Sequence, residues 1–294
     1  MAKKKVLVLR TCRADMSSSF GFVWPESGYV EAPDWKPTDE CGNGLHGWLW
    51  GEGSGGLGNW EHDAKWLVVK VDADRVIDLE GKVKFPSGEV VFCGSRLDAT
   101  NYLVKRAPGK AVIGATVVVG DRGTAMAGDY GTAMAGDYGM ATVGHHGTAT
   151  AGDYGMATAG SYGTATAGDR GTATAGHQGT VTAGERGKAT AGDGGTTMAG
   201  REGTAMAGRE GTATAGDYGT ATVEDLGKAT AGEWGKATAG YGGKATAGYG
   251  GILCLKHFDG ERWRIKTAYV GEDGIRPNVG YVLDDGGNFV EVNK

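Results

Sequence analysis

The chain has 294 residues, 57 of them Gly, and a net charge of −5; no basic stripe of the kind nucleic acid requires is visible, and no apolar run reaches membrane-spanning length. Four Cys (Cys12, Cys41, Cys93, Cys254) are scattered with no CxxC pair, which argues against a zinc knuckle and against a disulfide framework. The basic start Met1 to Lys5 is followed only by Val6 to Leu9, too short for a signal segment, so a cytoplasmic protein without metal or cofactor is expected.

Residues 1–114 hold six of the eight Trp and read as a small α+β domain that caps the first rung of a repeat. Strands are expected over 5–10, 66–72, 75–79 and 89–93, with turns at Gly81 and at Pro86-Ser87-Gly88, and a short helix over 97–104 with Asp98 in its first turn. The segment Cys41-Gly42-Asn43-Gly44-Leu45-His46 places a thiol and an imidazole on a Gly-rich loop. A Cys/His pair can act as nucleophile and base, and Arg10 is a further candidate. No third orienting group is evident, so the competing reading is a structural turn with His46 bonded to backbone. Gly53-Ser54-Gly55-Gly56-Leu57-Gly58 matches GxGxxG in form, yet no strand leads into it and no helix leaves it. A mobile loop is expected there.

Residues 123–250 are sixteen consecutive eight-residue units without insertion or deletion, and a degenerate unit, 115–122, precedes them. The commonest form is G-T-A-T-A-G-D-Y, as in 211–218. Positions two and four carry Thr, Met or Lys; positions three and five are nearly always Ala, or Val at Val143, Val181 and Val223. Alternation over four residues bounded by Gly is a strand pattern, and Gly at positions one and six permits tight corners. A short repeat in strict frame stacks on copies of itself, which a disordered linker does not do. Lys188, Lys228, Lys236 and Lys244 all stand at position two, and a Lys inside a narrow coil would be an unpaired buried charge. Positions two and four therefore face water and the alanines face inward. One octad is too short to close a coil; two make a flattened sixteen-residue coil. A three-sided coil of twenty-four residues is the alternative, and sixteen units do not divide by three.

Residues 251–294 regain ordinary complexity and read as a β-hairpin cap. Strands at 252–257 and 263–267 flank Asp259-Gly260, and 281–283 and 289–292 flank a second turn. Ile252, Leu253, Phe258 and Trp263 are expected to close the core where the alanines end. The fold class is thus mainly β: a β-solenoid of two-octad coils over 115–250 between an α+β domain and a C-terminal cap.

Ala239-Gly240-Tyr241-Gly242, Ala247-Gly248-Tyr249-Gly250 and the Thr-Ala-Thr units give the repeat a resemblance to the central region of bacterial ice-nucleation proteins. That family is built from sixteen-residue repeats of two octads rich in A-G-Y-G-S-T-x-T. The likeness spans about 130 residues; the flanking domains differ, and the array is much shorter. The layout as a whole is similar to uncharacterised bacterial and phage proteins with a C-x-x-G-[LF]-H-type motif, here Cys41 to His46 with one extra residue before Gly44. In that group short Ala/Thr/Gly repeats come next, and then a segment like Tyr269-Val270-Gly271-Glu272-Asp273-Gly274. This second likeness implies an architecture and no activity.

Alternate octads fall on opposite faces of a sixteen-residue coil. On the face starting at Gly131, both outward positions are Thr in four rungs: Thr148/Thr150, Thr164/Thr166, Thr180/Thr182 and Thr212/Thr214. The opposite face offers only Thr172/Thr174 and Thr220/Thr222. If one surface meets ice, the former is expected to. Thr is also simply a good strand residue, and Met126, Met134, Met140, Met156, Met198 and Met206 interrupt the ranks. At the variable corners, Tyr138 and Tyr154 share one edge and could form an aromatic ladder or a dimer seam. The repeat carries eight Lys and Arg against twelve Asp and Glu, too dilute to imitate DNA. The leading function is a non-enzymatic surface for ice or ordered water. The second is a structural or protein-interaction module, phage-linked in one version, and the third is an enzyme built on the N-terminal domain.

Overall fold

The computed structural model describes residues 4–18 and 21–292. The chain divides into two compact units: Met1–Val117 with Met126–Ala133, and Val118–Ala125 with Met134–Lys294.

The first unit is built on seven strands, β1 (Lys5–Cys12), β2 (Gly28–Glu31), β3 (Leu45–Leu49), β4 (Lys65–Asp72), β5 (Ile77–Asp78), β6 (Val83–Phe85) and β7 (Ser87–Gly94), followed by the helix α1 (Arg96–Val104). They form one sheet in the order β2-β7-β4-β1-β3-β6-β5, with antiparallel pairing throughout. β1 and β4 read as near-continuous apolar runs, and such strands are buried on both faces. They occupy the middle of the sheet, and Val8, Leu9, Leu67, Val68, Val69 and Val71 have no exposed surface. α1 opens on Ser95, whose Oγ accepts the Asp98 N–H at 3.2 Å, an ordinary N-cap. Its Ala99, Thr100 and Leu103 are buried.

Three sequence expectations change here. The strand expected at 75–79 shrinks to β5, because Ala73–Arg75 winds into a 3-10 turn first. The GxGxxG segment is an ordered turn rather than a loop: Gly55–Leu57 is 3-10 helix, and the Trp60 indole donates to the Gly55 carbonyl at 2.9 Å. His46 is not on a loop with Cys41. It lies within β3, opposite Lys84 of β6.

The second unit is a β-solenoid, and the winding comprises about nine sixteen-residue coils. Each octad contributes one short strand, and strands alternate between two parallel sheets. Pairing runs strictly from residue i to i+16: Thr148 opposite Thr164, then Thr164 opposite Thr180. This register excludes the twenty-four-residue coil. The alanines fill the interior; Ala149, Ala165, Ala173 and Ala189 are fully buried, and Val181 sits among them in the same register. One hydroxyl enters the core, at Thr197, whose Oγ1 reaches the Thr212 carbonyl at 3.4 Å.

The corners depart from the expected use of Gly. In the turn Gly136-Asp137-Tyr138-Gly139, the Gly139 N–H returns to the Gly136 carbonyl at 3.1 Å. The left-handed residue is position eight, with φ of 57° at Tyr138, 56° at Tyr154 and 55° at Arg170. Gly at positions one and six serves close approach instead. A Cβ on Gly163 would lie 2.7 Å from the Ala159 Cβ, and one on Gly168 would overlap Asp153 Oδ1 and the Asp153 backbone. Position seven adds a ladder that reading the corners as variable and solvated overlooks. Asp137 Oδ1 accepts the Asp153 N–H at 2.8 Å, Asp153 accepts Asp169, and Asp169 accepts Glu185.

Both parallel sheets finish on antiparallel strands, so their last edges are covered. Ile252–Phe258 continues one sheet and turns back as Trp263–Tyr269; Gly280–Leu283 and Phe289–Glu291 close the other. Leu253 and Leu255 take the inward positions and are buried. Phe258 and Trp263 do not close the core as expected. They stay about half exposed, 47% and 52%, and pack edge to face on each other with centroids 5.3 Å apart. Phe258 stands at position eight and Trp263 opposite it on the returning strand, both beyond the inward positions three and five of the last octad, and Ile252, at outward position two, is only half-buried. Among the described residues, no helix is long and apolar enough to cross a membrane.

Candidate functional site

Two regions of the molecule present organised chemistry. The first is the outer face of the sheet that carries Thr148, Thr164 and Thr180. Inter-strand spacing is about 4.8 Å, and alternate residues along a strand are about 6.6 Å apart. Position two and position four therefore form two parallel files with a two-dimensional repeat. Thr148, Thr164, Thr180, Thr196 and Thr212 follow one another in register in the position-two file. In the position-four file Thr150, Thr166 and Thr182 are consecutive, Met198 interrupts, and Thr214 resumes. Thr148, Thr164 and Thr180 are exposed, and Thr150, Thr166, Thr182, Thr212 and Thr214 are half-buried. β-Branching locks χ1, and pairing on both sides holds the backbone, so methyls and hydroxyls repeat at fixed spacing. Lys228 and Lys244 end the Thr file. On the opposite sheet the files are mixed: Met140 opposes Met156, and Lys188 stands between Thr172 and Thr204.

The edges between the faces carry side chains in register too. The Tyr138 and Tyr154 rings stack with centroids 5.0 Å apart and planes 7° from parallel. Arg122 and Arg170 lie over the two ends of that pair. On the other edge His146 stacks on Tyr162, also at 5.0 Å. The left-handed turn at position eight aims each of these side chains along the stack.

The second region is a cavity of about 750 Å³ within the first unit. The candidates Arg10, Cys41 and His46 all line it. Arg10 Nη1 donates to the His46 carbonyl at 3.4 Å, and its guanidinium lies 5.6 Å from the Trp24 ring centre. His46 Nε2 accepts the Gly42 N–H at 3.4 Å, so this nitrogen orients the Cys41-Gly42 turn. The Cys41 thiol meets a different partner, Lys82 Nζ at 2.9 Å. Burial first, and then the positive charges of Lys82, Arg10 and Lys84, lower the His46 pKa to about 4. Burial pushes the neighbouring Cys12 thiol up to about 11 despite Arg10. At neutral pH both groups are uncharged. Lys82, Lys84 and Trp24 do not stand out in the sequence. Lys84 is fully buried in a three-residue strand, its ammonium donating to the Glu40 carbonyl at 2.8 Å and to Thr38 Oγ1 at 3.2 Å. Nothing in a lone Lys next to Phe85-Pro86 announces that.

Comparison with known proteins divides along the same line. The repeat matches an ice nucleation protein of Enterobacter agglomerans, 38% identical over 136 residues, which is 42% of this chain and 11% of the relative. InaU of Pantoea ananas is 42% identical over 106 residues (35% and 10%), and an ice nucleation protein of Pseudomonas fluorescens is 47% identical over 105 residues (35% and 9%). The repeat resembles those of ice nucleation proteins. The chain spans about a tenth of the length of these relatives. Residues 6–105 match a domain of unknown function, DUF7666, and no solved structure matches the chain. The cavity thus lies in the part of the chain that the ice nucleation proteins do not illuminate.

Proposed function

We propose that this ice-nucleator-like repeat protein uses the sheet face bearing Thr148, Thr164 and Thr180 to order water and engage ice. The observation that carries the reading is the double Thr file, unbroken in both columns from Thr148/Thr150 to Thr180/Thr182. A flat array of methyls and hydroxyls at fixed spacing orders water with little reorganisation of its own, because strand pairing fixes its backbone and β-branching its rotamers. The resemblance to proteins named for ice nucleation supports the same reading. The experiment is ice affinity and thermal hysteresis of the full chain, with Thr164 and Thr180 replaced together by Lys. Activity lost in the double variant, with β-sheet circular dichroism retained, is the expected outcome; unchanged activity dismisses this face.

A second reading has its own observation. Met140 and Met156 oppose each other on the other sheet, 45% and 48% exposed, beside the edge on which Tyr138 and Tyr154 stack. Adjacent exposed methionines and a rigid aromatic pair suit a protein contact, including a homodimer. Sedimentation of the Met140→Gln/Met156→Gln variant checks this; an unaltered mass distribution removes these methionines from any self-contact.

A further inference from the structure

The cavity of the first unit is separate from the Thr files and holds the most chemically unfinished group of side chains in the molecule. Arg10 has five N–H donors; they meet the His46 carbonyl at 3.4 Å and the Cys12 thiol. Its Nε is buried and meets no acceptor, and the same holds for the indole Nε1 of Trp24, a residue only 3% exposed. Both atoms are closed off from the cavity, so Arg10 faces it through its terminal nitrogens and Trp24 through its ring. Among the described residues no carboxylate stands within ion-pair distance of Arg10, Arg13 or Lys82, and all three line the cavity. Cationic side chains that line a cavity without an ion-pair partner favour an anionic occupant.

The arrangement is prepared for a ligand. Arg10 is held against the face of Trp24, so little side-chain freedom remains to be lost on binding. Lys82 Nζ is tethered to the Cys41 sulfur at 2.9 Å, with two further protons to offer. After burial, the positive charges of Lys82, Arg10 and Lys84 are the next causes of the lowered His46 pKa. Phe22, Trp24 and Trp60 give one part of the lining an aromatic surface, and two carboxylates, Asp34 and Glu61, also line the cavity. A volume of about 750 Å³ is far more than an inorganic anion fills and lies within the range of pockets that enclose whole small molecules.

We propose that this cavity binds a nucleoside monophosphate, with the phosphate against Arg10 and Lys82 and the base along Phe22, Trp24 and Trp60. Arg binds phosphate in fork geometry, and base stacking on Trp or Phe tolerates any base, so AMP, CMP, GMP and UMP are the probes. The proposal is independent of the role of the threonines.

The test is calorimetric titration of the full chain with the four nucleotides, with adenosine and with inorganic phosphate. At least one nucleotide should bind, with adenosine and phosphate each at least tenfold weaker than AMP or its best analogue. Arg10→Gln should weaken nucleotide binding tenfold or more. Lys82→Gln, on the half-exposed rim, should weaken it at least threefold and keeps the test decisive if the Arg10 variant fails to fold. Absence of binding by all four nucleotides overturns the proposal, as does adenosine or phosphate binding equally well, or a Lys82→Gln affinity equal to that of the parent.

Discussion

The two halves of this chain make a core in opposite ways. The N-terminal sheet buries large, non-repeating side chains on strands that pair across long sequence distances, such as Val8 with Val69. The solenoid buries almost nothing but alanine methyls, two per octad, and pairs each residue with its own copy sixteen positions on. Apolar burial scales with area, so the first region is held chiefly by side chains. In the second, backbone ladders and the position-seven hydrogen bonds take over that work. Stability in one is concentrated in a few residues; in the other it is spread over many equal rungs.

That contrast can be broken at its ends. Leu67→Ala in β4 removes a fully buried side chain and should cost about 2–5 kcal/mol, whereas Ala165→Gly in the solenoid core should cost about 1 kcal/mol. Urea melts followed by Trp fluorescence for the first and by far-ultraviolet circular dichroism for the second measure both; equal losses would erase the distinction. Gly168→Ala adds a methyl where Asp153 and the preceding rung leave no room, and a loss of about 1–3 kcal/mol is expected. A Gly→Ala change on an ordinary exposed strand would instead be neutral or stabilising. Asp169→Ala deletes the acceptor for the Glu185 N–H and should cost about 1 kcal/mol, with Asp169→Asn nearer the parent because the amide oxygen still accepts.

A further effect is confined to the N-terminal domain and depends on pH. His46 titrates near 6.5 in the unfolded chain and at about 4 in the fold. Between those values the unfolded state binds more protons, so the stability of this domain falls as pH drops from about 6.5 to about 4 and levels off below. His46→Gln should flatten that limb, while the pH profile of the solenoid signal stays as it was.

The same contrast governs what could be read from the amino acids. A repeated octad reports its geometry many times over, so the sixteen-residue coil, the inward alanines and the Thr face emerge from frame and alternation. Two features of the repeat are not legible that way. Tyr, Arg and His at position eight adopt the left-handed backbone that Gly usually takes, a choice imposed by stacking and invisible in local preference. The Asp ladder looks like a solvated corner until two rungs lie 16 residues apart in register. In the N-terminal domain β1, β4, β7 and α1 announce themselves by apolar runs and, for α1, by Asp98 in its first turn, whereas the Ser95 cap shows only in the structure. β2, β3 and β6 are short or contain Gly, and become strands only through partners far along the chain. The cavity was half legible: Cys41, His46 and Arg10 stand out by chemical type, whereas Lys82 and Trp24 join them only through tertiary structure.

Along each rung, hydroxyl-bearing and alanine positions alternate between water and core, and the winding and its Thr surface both depend on that alternation. Single cysteines at adjacent positions of one strand test it, in a background where the exposed Cys41 and half-buried Cys93 are Ser. Under native conditions Thr164→Cys should react with a thiol reagent at the rate of a free cysteine, and Ala165→Cys should react only as fast as the solenoid unfolds. Prompt labelling at 165 with protection at 164, or equal rates at both, would contradict the winding and the surface built on it.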